Sequence, residues 1–286
     1  MSRIAYVNGQ YVPLREASVH VEDRGFQFAD GVYEVCEVLH GGMVDETRHV
    51  ERLKRSLREL GIAMPVAESA LKVILRETIR RNRVRDGMVY LQVTRGTARR
   101  DFIFPATDTP PSLIVIARAL DRAKAEASAA QGIAVITTPD NRWDRVDIKS
   151  IGLLPNALAR QKAKEQGARE AWFVDAEGYV TEGAASNAWI VSKEGTLITR
   201  PAESGILRGV TRTTLIDLAR KDRITVTERA FTVAEALAAR EAFVTAATTL
   251  IMPVVRIDQT VIGNGTPGEF TLRLRAHFHG VAERTS

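Results

Sequence analysis

Apolar and polar positions follow two rhythms along this chain, and their succession sets out the elements. Ala5-Tyr6-Val7 and Tyr11-Val12 flank Asn8-Gly9. That pair tolerates positive φ and is the strongest short hairpin signal. Partial alternation over 32–39 predicts a strand carrying Tyr33, and Gly41-Gly42 marks a further turn. Over 48–60 the apolar residues fall at Val50, Leu53, Leu57 and Leu60, the helical period. Gly61 and Pro65 close that helix. A second helix is expected over 69–83, and strands over 88–94 and 113–117, separated by a polar loop from Arg95 to Phe102.

Residues 121–131 are polar and alanine-rich, without a branched apolar side chain, and predict an interdomain linker. Beyond it the pattern predicts a strand over 133–136 and a helix over 156–166 that Gly167 stops. Short strands follow at 171–174, 179–181, 188–191 and 196–199. A helix runs from Val210-Thr211 to Arg220, and Thr232 with Glu235 forms a capping box. Strands at 243–246 and 253–257 precede a last helix over 270–279. Helices and strands mix in both halves, which predicts an α/β (mixed α+β) fold of two domains, 1–120 and 132–286.

A length of 286 residues suits two domains, and an apolar content of 45% suffices for sizeable cores. The net charge of +5 and pI near 9.5 raise a nucleic-acid-binding reading. The basic runs 48–58 and 76–85 alternate with acids and leucines, however, as solvated helix faces do. No arginine–aromatic pattern for stacking bases accompanies them. The single Cys36 excludes an intrachain disulfide and a cysteine metal cluster, and it falls in an apolar strand as a core residue. The five histidines form no ligand constellation. With no apolar signal core and no long apolar run, the expectation is a cytoplasmic protein without a membrane span.

The candidate chemistry gathers around Asp147-Ile148-Lys149-Ser150. Taken alone, a lysine is a surface residue. Held among apolar neighbours it loses hydration of its ammonium and becomes a nucleophilic amine, suited to a Schiff base with an aldehyde. Three further motifs stand in order around it: 22–34 (Glu-Asp-Arg-Gly-Phe-Gln-Phe-Ala-Asp-Gly-Val-Tyr-Glu), His49-Val50-Glu51-Arg52-Leu53, and Val180-Thr181-Glu182-Gly183 with Ser186-Asn187. Together they resemble the fold-type IV pyridoxal-phosphate (PLP) enzymes over about 6–278, and the D-amino acid aminotransferases most closely.

The resemblance implies a smaller N-terminal α/β domain and a larger C-terminal domain with a β-barrel-like core that carries the lysine. It implies Lys149 as the Schiff-base amine and proton shuttle, and Glu182 as partner of the pyridine nitrogen. Arg52 and the Gly209-Val210-Thr211 turn would hold the phosphate, since arginine offers paired donors and a helix start offers free N–H groups. The Ala246-Ala247-Thr248 turn would join them; the family's usual hydroxyl position is Ala247 here, so either a backbone N–H or Thr248 takes its place. Leu207 would pack on the ring face. Tyr33 and Arg100 would grip the substrate carboxylate, while Phe102 stands where the family has histidine. A phenyl ring cannot donate a hydrogen bond, so either Arg100 and Tyr33 suffice or the donor range differs. The implied activity is ping-pong transfer of an amino group from a D-amino acid to a 2-oxo acid. A branched-chain L-amino acid or (R)-amine transaminase is the alternative on the same fold, and aminodeoxychorismate lyase the third. The resemblance also implies a homodimer in which the loop of Arg100 reaches the partner's active site.

Overall fold

Asn8 and Gly9 take φ of 43° and 96° and close the expected hairpin between β1 (Ile4–Val7) and β2 (Gln10–Pro13). The structure, a computed structural model, describes residues 3–203 and 205–285. It divides into two units. The first runs to Arg122 and includes Ile148–Gly152 and the residues from Glu283. The second comprises Ala123–Asp147 and Leu153–Ala282.

In the first unit, α1 (Arg24–Phe28), β3 (Gly31–Leu39), β4 (Gly42–Val44), α2 (Glu46–Glu59), α3 (Glu68–Arg81), β5 (Gly87–Thr94) and β6 (Ser112–Ala119) follow the hairpin. Arg284–Thr285, β4, β3, β5, β6, β1 and β2 form one antiparallel seven-stranded sheet, in that order. The two-residue period of a strand sends alternate side chains to opposite faces. Val32, Cys36 and Val38 of β3 are buried with Val89, Leu91 and Val115, and Leu53, Leu57, Leu71, Leu75 and Ile79 of the two long helices close this core. Glu34 points to the same buried side, whereas Tyr33, Val35 and Glu37 stand half-buried on the other.

Helix α1 escaped the periodicity because five residues are too short to express it. Its buried N-cap Asp23 accepts from the Gly25 amide (2.8 Å) and from the hydroxyls of Thr94 (2.9 Å) and Ser112 (2.7 Å). Gly25 makes this possible: a Cβ there would lie 2.3 Å from Thr94 Cγ2.

The second unit begins differently from expectation. The stretch read as a linker is the helix α4 (Arg122–Gln131). Alanine and charged residues favour helix, and the missing branched side chains remove an obstacle. Glu126 of α4 takes a double bond from Arg275 (2.9 and 3.1 Å), which fastens the helix within this unit. Then come β7 (Ile133–Pro139), α5 (Leu154–Glu165), β8 (Glu170–Val174), β9 (Val180–Gly183), β10 (Asn187–Val191), β11 (Leu197–Thr199), α6 (Val210–Lys221), β12 (Val226–Glu228), α7 (Val233–Leu237), β13 (Glu241–Ala246), β14 (Leu250–Ile257), β15 (Thr260–Val261) and α8 (Glu269–Phe278). Nine strands form a mixed sheet, β12-β11-β10-β13-β14-β7-β8-β9 with β15 on β14, which curls as a half-barrel. The capping box is present: Thr232 Oγ1 accepts from the Glu235 amide (3.1 Å) and Glu235 accepts from the Thr232 amide (2.9 Å). Among the described residues no helix is long and apolar enough to cross a membrane.

The lysine segment also departs from expectation. Residues 148–152 belong to the first unit rather than to the C-terminal one. They lie along the free edge of β3, where the Tyr33 amide donates to Lys149 O (3.0 Å) and the Ile151 amide to Gly31 O (3.1 Å). Backbone hydrogen bonding to a strand far away in sequence decides this grouping, and hydrophobic periodicity does not report it.

Candidate active site

In the first unit the half-buried Lys149 presents its Nζ 4.1 Å from the ring centroid of Tyr33, a cation–π distance. Its backbone amide donates to Ser56 Oγ (3.3 Å) on α2, and Arg52 lies one turn earlier on that helix face. Lysine backbone, Tyr33 and Arg52 are therefore held by one strand edge and one helix. The Tyr33 ring rests 5.7 Å from that of Tyr90, whose hydroxyl donates to Gln92 (2.7 Å). Burial, and then the nearby Tyr33, push the Tyr90 phenol up to about 12, so it remains a hydrogen-bond donor.

Arg52 is gripped from within the core. Its Nε and Nη2 both donate to the fully buried Glu34 carboxylate at 2.8 Å, and His49 Nδ1 lies 2.7 Å from the same group. Burial alone would raise the Glu34 pKa. The charge and hydrogen bonds of Arg52, with the bond to His49, outweigh it and hold the carboxyl at about 2. Sequence reasoning named Arg52 but not its orienting partner. Glu34 closes the 22–34 motif and lies an even number of residues from Val32 and Cys36, a signal that it faces the core.

In the second unit Glu182 is buried on β9. Arg142 Nη1 donates to its Oε1 at 2.6 Å, Asn187 Nδ2 to its Oε2 at 3.1 Å, and the Leu207 amide reaches both oxygens at 3.2–3.3 Å. Asn187 also donates to Leu207 O (2.9 Å), so both backbone groups of Leu207 are pinned beside the carboxylate. Arg142 was missed. It also holds Asp140 with two nitrogens (2.8 and 2.9 Å) and lies 4.4 Å over the Phe173 ring. Burial would raise the Asp140 pKa, but the Arg142 bonds and charge keep it low.

Val210 and Thr211 open α6, both buried, and the helix has no side-chain N-cap bond. Its first amides are thus available to an anion. Gly209 leaves the room that Asn187 needs: a Cβ there would lie 2.0 Å from Asn187 Oδ1. Thr248 is half-buried in the turn between β13 and β14. In the first unit Arg100 and Phe102 are exposed, Phe102 at 84%. Lys149, Tyr33 and Arg52 are thus brought together in one unit, and Glu182, Leu207, Val210 and Thr211 in the other.

The model of the family described as amino-transferase class IV matches residues 31–257. The chain belongs to the class IV aminotransferases. The D-alanine aminotransferase of Bacillus licheniformis is 40% identical to this chain over 264 residues, 92% of each. That of Listeria monocytogenes serotype 4b is 39% identical, covering 95% of this chain and 93% of its own. Among solved structures, an Escherichia coli branched-chain amino acid aminotransferase superposes with a TM-score of 0.90 at 25% identity, covering 98% of this chain and 95% of that one. The T.th. branched-chain amino acid aminotransferase with pyridoxamine 5'-phosphate reaches 0.89 at 27%, covering 99% and 98%.

Class IV aminotransferases use pyridoxal phosphate, and this chain is such an enzyme. The residues fit that group. An uncapped helix start suits a phosphate. A buried carboxylate with an arginine behind it suits a pyridinium, and a primary amine is the group that condenses with an aldehyde.

Proposed function

We propose that this aminotransferase moves the amino group of a D-amino acid, such as D-alanine, to a 2-oxo acid by a ping-pong mechanism. The observation that carries this reading is the match to D-alanine aminotransferases at 35–40% identity over more than nine-tenths of the chain.

Bound PLP supplies a carbonyl for the donor amine and an electron sink that lets its Cα–H bond ionise. The chain supplies the rest. Lys149 Nζ, as a free amine, would take the proton from the donor Cα and then give it back, acting as base and then as acid. Glu182, backed by Arg142 and Asn187, holds the proton on the pyridine nitrogen. Arg52, oriented by Glu34, binds the phosphate together with the amides of Val210 and Thr211 and, from its turn, Thr248. Leu207 packs on the ring. Tyr33, Arg100 and Phe102 meet the substrate, the arginine through its carboxylate. The enzyme works as a homodimer, for which the exposed aromatic side chains of the Arg100 loop argue. A lone buried Cys36, with no disulfide to form, suits the reducing cytoplasm.

One observation favours a second reading. Phe102 replaces a hydrogen-bonding residue with an exposed apolar one, as a branched-chain or (R)-amine transaminase would tolerate. Assaying D-alanine, L-leucine and (R)-phenylethylamine, each with 2-oxoglutarate, separates the two. D-alanine is expected to react fastest; turnover of L-leucine alone would refute D-specificity.

A further inference from the structure

An aromatic pedestal stands beneath the loop that carries Arg100. Phe28, the last residue of α1, has the guanidinium carbon of Arg100 4.7 Å from its ring centroid. The ring of Phe102 packs against the same Phe28, with centroids 5.5 Å apart and planes tilted by 55°. One side chain thus touches both loop residues that the proposed function brings to the substrate.

The pedestal is itself fixed. Asp23 caps α1 and is tied to Thr94 and Ser112 on the sheet. Arg24 lies 4.7 Å from the Phe28 ring and donates to the carbonyls of Asp101 (2.7 Å) and Ile103 (3.5 Å). Asp30 takes bonds from Arg24 (2.8 Å) and from Arg95 (2.7 and 3.0 Å), and Arg95 lies 3.7 Å from the ring centroid of Phe104. Backbone and flank of the loop are therefore anchored on either side of residues 100 and 102, which themselves stay exposed.

A guanidinium stacked on a ring spends its π face there and keeps its N–H edges for in-plane acceptors, which is the geometry a carboxylate needs. An exposed arginine without such a support samples many rotamers, and ordering them opposes binding. We propose that Phe28 is a specificity-positioning residue. It pre-orders Arg100 for the α-carboxylate of the donor, so that the enzyme takes carboxylate donors without the loop histidine. The proposal rests on the reading of Arg100 as the carboxylate-binding residue.

The test is a double-mutant cycle on the PLP-loaded enzyme with Phe28→Leu, Phe28→Tyr, Arg100→Ala and Phe28→Leu/Arg100→Ala. It reads KM and kcat for D-alanine, and the dissociation constant of the unreactive carboxylate propionate from the change in cofactor absorbance. Losing a cation–π support at an exposed arginine predicts that Phe28→Leu raises KM and the propionate constant about two- to fivefold. A positioning role also keeps kcat within about twofold of the parent. Phe28→Tyr keeps the parental values, and in the Arg100→Ala background Phe28→Leu changes nothing further. If Arg100→Ala raises KM but Phe28→Leu does not, the pedestal is wrong and the carboxylate reading stands. If Phe28→Leu raises KM equally in both backgrounds, its role is structural and the proposal falls. If Arg100→Ala leaves KM unchanged, the underlying reading of Arg100 has failed. Should Phe28→Leu not fold by thermal melting, Phe28→Met takes its place in the cycle with the same expected outcomes.

Discussion

In the proposed function Glu182 keeps a proton on the pyridine nitrogen, and at the level of single residues Arg142 is what fixes that carboxylate. A charge-assisted hydrogen bond to a buried group contributes about 1.5–3 kcal/mol, which corresponds to about 10- to 100-fold in rate if it is felt in the transition state. Arg142→Met, which keeps apolar bulk beside Phe173, is therefore expected to lower kcat by about that factor and, by leaving the buried Glu182 and Asp140 carboxylates without their cation, to lower the melting temperature as well. Arg142→Lys, with a point charge and no planar fork, should recover part of the loss. Steady-state kinetics with pre-loaded cofactor check this, and an Arg142→Met enzyme with parental kcat would refute the role. Lys149, Glu182 and Thr211 could be named as candidates because each sits in a short local motif. Arg142 could not, since Glu182 is forty positions away and nothing in the neighbouring residues announces the pairing.

Between elements, the decisive junction is β3 against α2, where Glu34 meets His49 and Arg52. The strand and the helix could be read from alternation and from the 3.6 period. The ion cluster between them could not, because it depends on which strand face meets which helix face. For Glu34 the folded pKa of about 2 lies below the ordinary 4.5. A depressed carboxylate stabilises the fold above its unfolded pKa and loses that contribution as pH falls through the folded one. The loss thus spans pH 4.5 to about 2, and it amounts to about 3 kcal/mol on the full shift. Glu34→Gln should flatten the acid limb of a urea-unfolding series over that window. The variant should also bind PLP more weakly, since Arg52 loses its orienting partner. An acid limb identical to the parent's would mean that Glu34 is not the titrating group. Helix α4 teaches a related point: the residues that made 121–131 look like a linker are good helix formers, and only the Arg275–Glu126 bonds, 149 positions apart, reveal what the helix is for.

For the molecule as a whole, the question is where the Arg100 loop works. Phe26, Phe102, Ile103 and Phe104 are all exposed, from 61% to 84%. Large apolar side chains clustered on a surface are costly in water and mark an interaction face. A homodimer, with the loop of one subunit serving the active site of the other, gives that face its occupant and predicts a mass near twice 31.5 kDa in solution. Complementation separates a trans loop from a cis one. Arg100→Ala and Lys149→Ala enzymes are each impaired alone. After mixing under mild denaturation and refolding, a trans arrangement puts a native Lys149 and a native Arg100 together in one site of every hybrid dimer, and activity towards D-alanine returns. A cis arrangement leaves each hybrid site lacking one of the two, and no activity returns. An Ile103→Glu substitution supplies the control, because a charge on the aromatic face should shift the sedimenting species to the monomer and abolish complementation together with it. A wild-type enzyme that sediments at 31.5 kDa at micromolar concentration would rule out both the dimer and the trans loop.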